Sequence, residues 1–291
     1  MGGARGPDGR VRLPAVRVEP EHHGGSGTPL LLLHGFTDTW YAWRPLLPYL
    51  EPEHEVLAVT LPGHHGGPDL GGRPMTVETA LDILEARLDA AGWATAHIAG
   101  SSYGGWLSLG LAARGRARSV VALCPAGGWK GESPEGRHVY RYFLRSHHIL
   151  KRSTPRMLHL LAVRPRLRAA AFREVIAHPR RLPPGAALHM LEGARECSVV
   201  LEGIEAARRE DAFGALGPID VPVRIAYGER DWLIRWPRWY ERLRRMLPDA
   251  EYVKLADCGH LPMWDDPELT ARTILEVTRA RDADRSPAAA D

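Results

Sequence analysis

The chain has little cysteine, little lysine and no long apolar run. Its three cysteines, Cys124, Cys197 and Cys258, are odd in number and widely spaced, which argues against a disulfide framework and against a zinc site. No stretch approaches the roughly 20 apolar residues that a membrane helix requires, so no integral membrane segment is expected. Met1 to Gly6 lacks the apolar centre of a secretory signal, and cytoplasmic residence is the expectation. Among the basic residues only Lys130, Lys151 and Lys254 are lysine, a bias that speaks to genome composition rather than to function. There is no P-loop, no H-E-x-x-H, and no G-x-G-x-x-G behind a strand and before a helix. The pairs His22-His23, His64-His65 and His147-His148 would point in different directions on any regular element, so neither a metal nor a cofactor is expected. Any of His64, His65, His147 and His148 could instead line a pocket mouth. With 291 residues, 44% of them hydrophobic and 25% charged, the chain can bury one substantial core and still carry an insertion.

What is present begins with Gly100-Ser101-Ser102-Tyr103-Gly104, a G-x-S-x-G match. It follows the apolar His97-Ile98-Ala99 and precedes a helical pattern from Gly105 to Ala113. A serine at a strand-to-helix turn is held in a strained backbone conformation with its hydroxyl above the sheet. A Cβ at either flanking glycine would crowd that turn. The bland alternative is a Gly/Ser turn in a chain with 30 glycines. Ser101 competes for the role, but only Ser102 has glycines two residues away on both sides.

Other strand-length runs share this arrangement. Pro29 to Leu33 is continuously apolar, as a buried parallel strand would be, and ends in His34-Gly35-Phe36. Glu55 to Val59 is another. Val223 to Tyr227 leads into Gly228-Glu229-Arg230-Asp231, and Glu251 to Leu255 leads into Ala256-Asp257-Cys258-Gly259-His260. In a parallel sheet the C-terminal ends of strands lie along one edge, where Ser102, Asp231 and His260 could converge. Glu229 and Asp257 are rival carboxylates. The run Val120 to Cys124 exits into Pro125-Ala126-Gly127-Gly128, which offers none.

Over roughly residues 27 to 280 the chain resembles the α/β-hydrolase fold family, whose triad runs serine, acid, histidine in this order. The resemblance implies a mostly parallel, doubly wound α/β sheet with a helical cap insertion. It implies Ser102 as nucleophile, His260 as base, Asp231 as the acid that orients it, and the backbone N–H groups of Phe36 and Tyr103 as the oxyanion hole. Family members often read Asp-x-Pro-Gly-His-Gly after the second core strand. Here Pro62-Gly63-His64 is kept, with Thr60 for the acid and His65 for the second glycine. Relatives that open epoxides or remove halogens carry an aspartate at the elbow, so the serine argues against both activities.

The expected organisation is a core over 1–128 and 217–281, a helical cap over 129–216, and mobile ends at 1–10 and 282–291. An edge hairpin is expected around Val11 to Glu19. One helical face runs through Trp40, Trp43, Leu46, Leu47 and Leu50, and another through Val77, Ala80, Leu81, Leu84 and Leu88, with Thr76 as N-cap and Gly92 beyond the end. In the cap, Tyr142, Ser146, Ile149 and Leu150 share a face, as do Leu167, Ala170, Ala171 and Val175, between helices punctuated by Pro155, Pro165, Pro179, Pro183 and Pro184. The last helix starts at Pro267 behind Asp266.

The net charge of +3 hides a split. Residues 137–181 hold twelve Lys/Arg and one acid, Glu174, which leaves 26 basic and 34 acidic residues elsewhere. Cap and body could simply attract one another, or the cap could steer anionic small-molecule substrates. Membrane-surface binding is a third option, and nucleic-acid binding lacks a recognition motif. The expected activity is a serine hydrolase that cleaves a small carboxylic ester, lactone or thioester through an acyl-enzyme. Carbon–carbon bond hydrolysis or acyl transfer with the same triad is the alternative, and a non-catalytic ligand-binding protein the second. Trp129, Tyr140, Tyr142, Phe143, Met157 and Trp264 are candidates to line the pocket.

Overall fold

The structure is a computed structural model that describes residues 4–5, 11–12, 19–209 and 216–285. The strands β1 (Ala4–Arg5) and β2 (Val11–Arg12) form a small antiparallel pair. The rest of the hairpin expected before Glu19 lies outside the described residues. The main sheet comprises β3 (Glu21–Gly25), β4 (Thr28–Leu33), β5 (His54–Val59), β6 (Ala96–Ser101), β7 (Ala117–Leu123), β8 (Val223–Gly228) and β9 (Glu251–Leu255). Its order is β3-β5-β4-β6-β7-β8-β9, with β3 antiparallel to β5 and every other pairing parallel. Leu30 to Leu33 are all buried, because helices cover both faces of β4. Burying each such leucine contributes about 1.5–3 kcal/mol.

On the way into β5 the chain makes a 3₁₀ turn, Trp40–Trp43, and then α1 (Leu47–Leu50). The single helical face expected from Trp40 to Leu50 is therefore broken, since Pro45 and Pro48 supply no N–H. The next helix, α2 (Val77–Ala90), is capped by Thr76, whose hydroxyl accepts from the Thr79 N–H, and Gly92 follows it at φ 76°. Behind β6 comes α3 (Tyr103–Ala113), buried from Gly104 to Ala112.

Among the described residues, five helices separate β7 from β8: α4 (Pro134–Arg152), α5 (Pro155–Val163), α6 (Pro165–Phe172), α7 (Pro184–Glu196) and α8 (Val200–Arg209). Each of the first four has proline in its first turn, where a missing N–H costs nothing. The chain closes with α9 (Glu241–Met246), α10 (Pro262–Asp265) and α11 (Pro267–Arg285). Residues 282–285, expected to belong to a mobile tail, continue α11, and the remainder of that tail lies outside the described residues. Asp282 lies in α11 and takes hydrogen bonds from the Thr28 hydroxyl and from His97 Nε2, which anchor it to two strands. No helix among the described residues is long and apolar enough to cross a membrane.

Candidate active site

The turn from β6 into α3 places Ser102 at φ 53° and ψ −114°, outside the ordinary regions for a side-chain-bearing residue. Its glycines are sterically required. A Cβ on Gly100 would lie 2.1 Å from Gly104 O, and one on Gly104 would lie 2.1 Å from Leu33 O. The helix is thus pressed against the end of β4. Gly35, just past that end, sits over the serine, since its own Cβ would come within 3.2 Å of Ser102 Cβ.

Two buried histidines support this corner. His34 donates from Nδ1 to Gly35 O at 2.7 Å and accepts the Leu61 N–H at Nε2 at 2.8 Å, which fixes a neutral tautomer. Burial holds its pKa well below the usual value. His64, bonded to Pro62 O, is lowered to about 4 by burial and packs edge-on against Phe36. Thr60, standing where the resemblance suggests an acid, accepts the Trp40 N–H instead. Among the described residues the Phe36 N–H has no acceptor, and the Tyr103 N–H is one of the orphan donors that open α3.

Past β8, Asp231 is buried and fully engaged. Its Oδ1 accepts the N–H groups of Leu233 and Ile234, each at 2.8 Å, and its Oδ2 lies 2.7 Å from His260 Nδ1. A carboxylate only accepts, so the proton sits on Nδ1 and Nε2 is left as the basic nitrogen. The rival carboxylates serve elsewhere. Glu229 pairs with Lys254, and Asp257 pairs with His178 and Arg230 on the surface. The acid loop and the base loop touch through backbone, because a Cβ on Gly228 would come within 2.2 Å of Gly259 O.

Cys124 lies against Asp231 and His260, and one ligand atom from each of the three falls within 4.8 Å of the others. These atoms are already spoken for. The thiol is bonded to Gly259 O and to the Gly228 N–H, burial holds it well above its usual pKa, and the carboxylate and imidazole bond each other. The set suits packing better than a cation.

Two cavities meet at Phe36, Ser102 and Phe143. One of about 450 Å³ runs under α2 and α8, with Met75, Leu81, Trp106, Trp129, Tyr140 and Ile204 in its walls. The other, about 530 Å³, runs between α4 and α6 and is the one that His260 lines. Both cap faces expected from the sequence wall this second cavity: Tyr142, Ser146, Ile149 and Leu150 from α4, and Leu167, Ala170, Ala171 and Val175 from α6 and just beyond. His147 lines it as well, whereas His64, His65 and His148 line neither cavity. Met157 and Trp264 are also absent from both walls. Met157 is exposed on α5, and Trp264 stacks loosely toward Tyr41.

Two residues of this region escaped the sequence reading. Asp38 lines the second cavity at 8% exposure, and among the described residues the one hydrogen bond to its carboxyl comes from the Thr39 N–H. Burial without a cation raises its pKa to about 7. Asp265 accepts the N–H groups of Gly259, Ala177 and His178, and so ties the loop before His260 to the chain after α6. Neither has a motif signal, since each acquires its role only from tertiary packing.

Residues 30–273 match the model of the Alpha/beta hydrolase family. The chain is 30% identical to an epoxide hydrolase of Mycobacterium tuberculosis over 198 residues, covering 66% of this chain and 90% of that one. It is 29% identical to a pimeloyl-acyl-carrier-protein methyl ester esterase of Neisseria meningitidis over 259 residues, covering 82% and 73%. Among solved structures, an esterase from Thermogutta terrifontis superposes with a TM-score of 0.70 at 21% identity, covering 90% of this chain and 93% of that one, a likeness of fold.

Proposed function

The chain belongs to the alpha/beta hydrolase family, and from that premise we propose that it is a serine hydrolase cleaving small carboxylic esters through an acyl-enzyme. The observation that carries this reading is the pairing of His260 with Asp231 on the wall of the cavity that Ser102 also lines. In the proposed reaction Ser102 Oγ attacks the ester carbonyl carbon and passes its proton to His260 Nε2. The carbonyl oxygen becomes an oxyanion between the N–H groups of Phe36 and Tyr103, and Asp231 stabilises the imidazolium. Collapse breaks the bond to the alkoxy oxygen, which leaves as the alcohol with the proton from His260. Water then repeats the sequence on the acyl-enzyme, releases the acid and restores Ser102.

The leaving alcohol takes its proton from His260, so it occupies the cavity that His260 lines, and the acyl group fills the other. The aromatic and aliphatic walls of that acyl cavity favour an apolar chain or ring. The epoxide hydrolase among the relatives adds a second substrate class for assay, against which stands Ser102, since the resemblance associates epoxide opening with an aspartate at the elbow.

The test is turnover of p-nitrophenyl esters of increasing chain length by wild type and Ser102→Ala, with terminal epoxides and an added alcohol acceptor as parallel arms. A loss of roughly 10³-fold or more in the variant, with fluorophosphonate labelling of wild type alone, is the expected result. Epoxide opening that survives Ser102→Ala would overturn the mechanism. Ligand binding with neither turnover nor labelling would make the chain a binding protein.

A further inference from the structure

Among the described residues, the Lys and Arg side chains of residues 137–181 find few acidic partners. Of the twelve Lys/Arg in residues 137–181, only Arg145 pairs with an acid among the described residues, and that acid is the segment's own Glu174. Arg168 is buried and donates to the carbonyls of Ala162 and Arg180. Arg156, Arg164 and Arg166 are exposed and form no ion pair among the described residues. Close ion pairing among the described residues therefore leaves most of these Lys and Arg side chains uncompensated.

The same helices expose aliphatic side chains. Ile149 is 54% exposed, Met157 50%, Leu160 44% and Leu167 39%. Met157, Leu160 and Leu161 share one face of α5 by their spacing. Leu161 lines the 530 Å³ cavity together with Ile149 and Leu167, so this apolar rim borders the mouth of the site. Exposed aliphatics on the same short helices as exposed, unpaired arginines combine apolar and cationic character at the border of the site.

We propose that the exposed side of these cap helices, with Ile149, Met157, Leu160 and Leu167 and the exposed Arg156, Arg164 and Arg166, docks on an anionic lipid surface. Apolar side chains enter the interface while arginines meet the headgroup phosphates, with the cavity mouth turned toward the lipid. A second copy docked cap to cap would oppose two sets of unpaired arginines. A soluble anion drawn by the same field would leave the aliphatics unexplained. The inference does not depend on the ester reading, because binding is measured without turnover.

The experiment is co-sedimentation of the full chain with vesicles of phosphatidylcholine, with and without phosphatidylglycerol, at low and high salt. Two variants accompany it: Arg156→Glu/Arg166→Glu and Met157→Ser/Leu160→Ser, each checked for an unchanged melting temperature. Each cation near such a surface is worth roughly fivefold in affinity, so the charge reversal is expected to weaken binding to the anionic vesicles more than tenfold. Omitting phosphatidylglycerol should have the same effect. The serine variant should bind several-fold more weakly at both salt concentrations. Equal binding to both vesicle types, binding to neither, indifference to both variants, or self-association through the cap in sedimentation velocity would each overturn the proposal.

Discussion

The floor of the cavity and its roof are built on opposite rules. On the floor, Asp231 uses both oxygens, His34 uses both nitrogens, and the glycines of the elbow leave no room for a methyl group. The reacting groups there are fixed by contacts with strand ends and with the loops that leave them. On the roof, Arg156, Arg164 and Arg166 form no ion pair among the described residues and aliphatic side chains meet solvent, while each helix is held by its buried side, such as Leu158, Ala162 and Phe172. The floor is organised to position reacting atoms. The roof is organised toward something outside the molecule. Chemistry and recognition can therefore be perturbed separately.

The largest separable effect should come from Asp231→Asn. The amide oxygen can still accept the N–H groups of Leu233 and Ile234, so the fold should hold. The amide nitrogen cannot accept from His260 Nδ1, and the imidazole must switch tautomer, leaving Nε2 protonated. A loss of roughly 10⁴-fold in kcat is the expected size of that change. Steady-state kinetics beside a melting curve check it, and a loss accompanied by unfolding would mean that Asp231 is structural.

A pair of glycine substitutions compares the two regions directly. Gly104→Ala drives a methyl group into Leu33 O and His34 O, backbone atoms that cannot move aside, and should cost about 4 kcal/mol or prevent folding. Gly185→Ala, near the start of α7 with nothing within 4 Å, should instead stabilise by about 0.4–1 kcal/mol. Chemical denaturation measures both. A mild Gly104→Ala would mean that the elbow is looser than its contacts indicate.

How far the sequence announces these features follows from how local each one is. A buried parallel strand such as β4 is a continuous apolar run and is readable within a residue, as Pro29 to Leu33 shows against Thr28–Leu33, whereas β9 is a half-exposed edge strand with Glu251 and Lys254 in it. The elbow is readable because its steric demands fall on adjacent residues. Between Trp40 and Leu50 the apolar spacing is helical, but Pro45 and Pro48 divide it, a case where backbone chemistry overrides periodicity. The sequence leaves Asp231, Glu229 and Asp257 as competitors, and it takes three-dimensional placement to bring one of them to His260. Asp38 and Asp265 are invisible beforehand, since the burial of one and two of the three N–H partners of the other, Ala177 and His178, come from segments far away in the chain. Met157 misleads in another way, because an apolar residue on an amphipathic helix can face outward.

Asp38 supplies an effect that depends on pH. Its carboxyl titrates near 7 in the folded protein and near 3.8 as an ordinary aspartate, so the folded state binds the extra proton between those values. Stability is therefore highest below about pH 4 as far as this group is concerned, and falls as pH rises toward 7. Asp38→Asn removes the penalty while the amide oxygen still accepts the Thr39 N–H. The variant should match wild type at low pH and exceed it by about 2–4 kcal/mol at pH 8. Melting temperatures across that range decide it, and a constant difference would show that the carboxyl is not the titrating group.

The smallest effect belongs to the roof. Glu174→Gln removes the only acid in the basic segment and leaves Arg145 without its partner. The Arg145 side chain is 56% exposed, so water and salt screen the pair, and the loss should stay below about 1 kcal/mol. Its functional consequence should exceed its structural one, because one more unpaired cation then faces the cavity mouth. Affinity for vesicles containing phosphatidylglycerol should rise a few-fold at low salt, and the gain should vanish at high salt. A destabilisation of several kcal/mol would instead mean that ion pairing holds the cap together, and that the roof obeys the same rule as the floor.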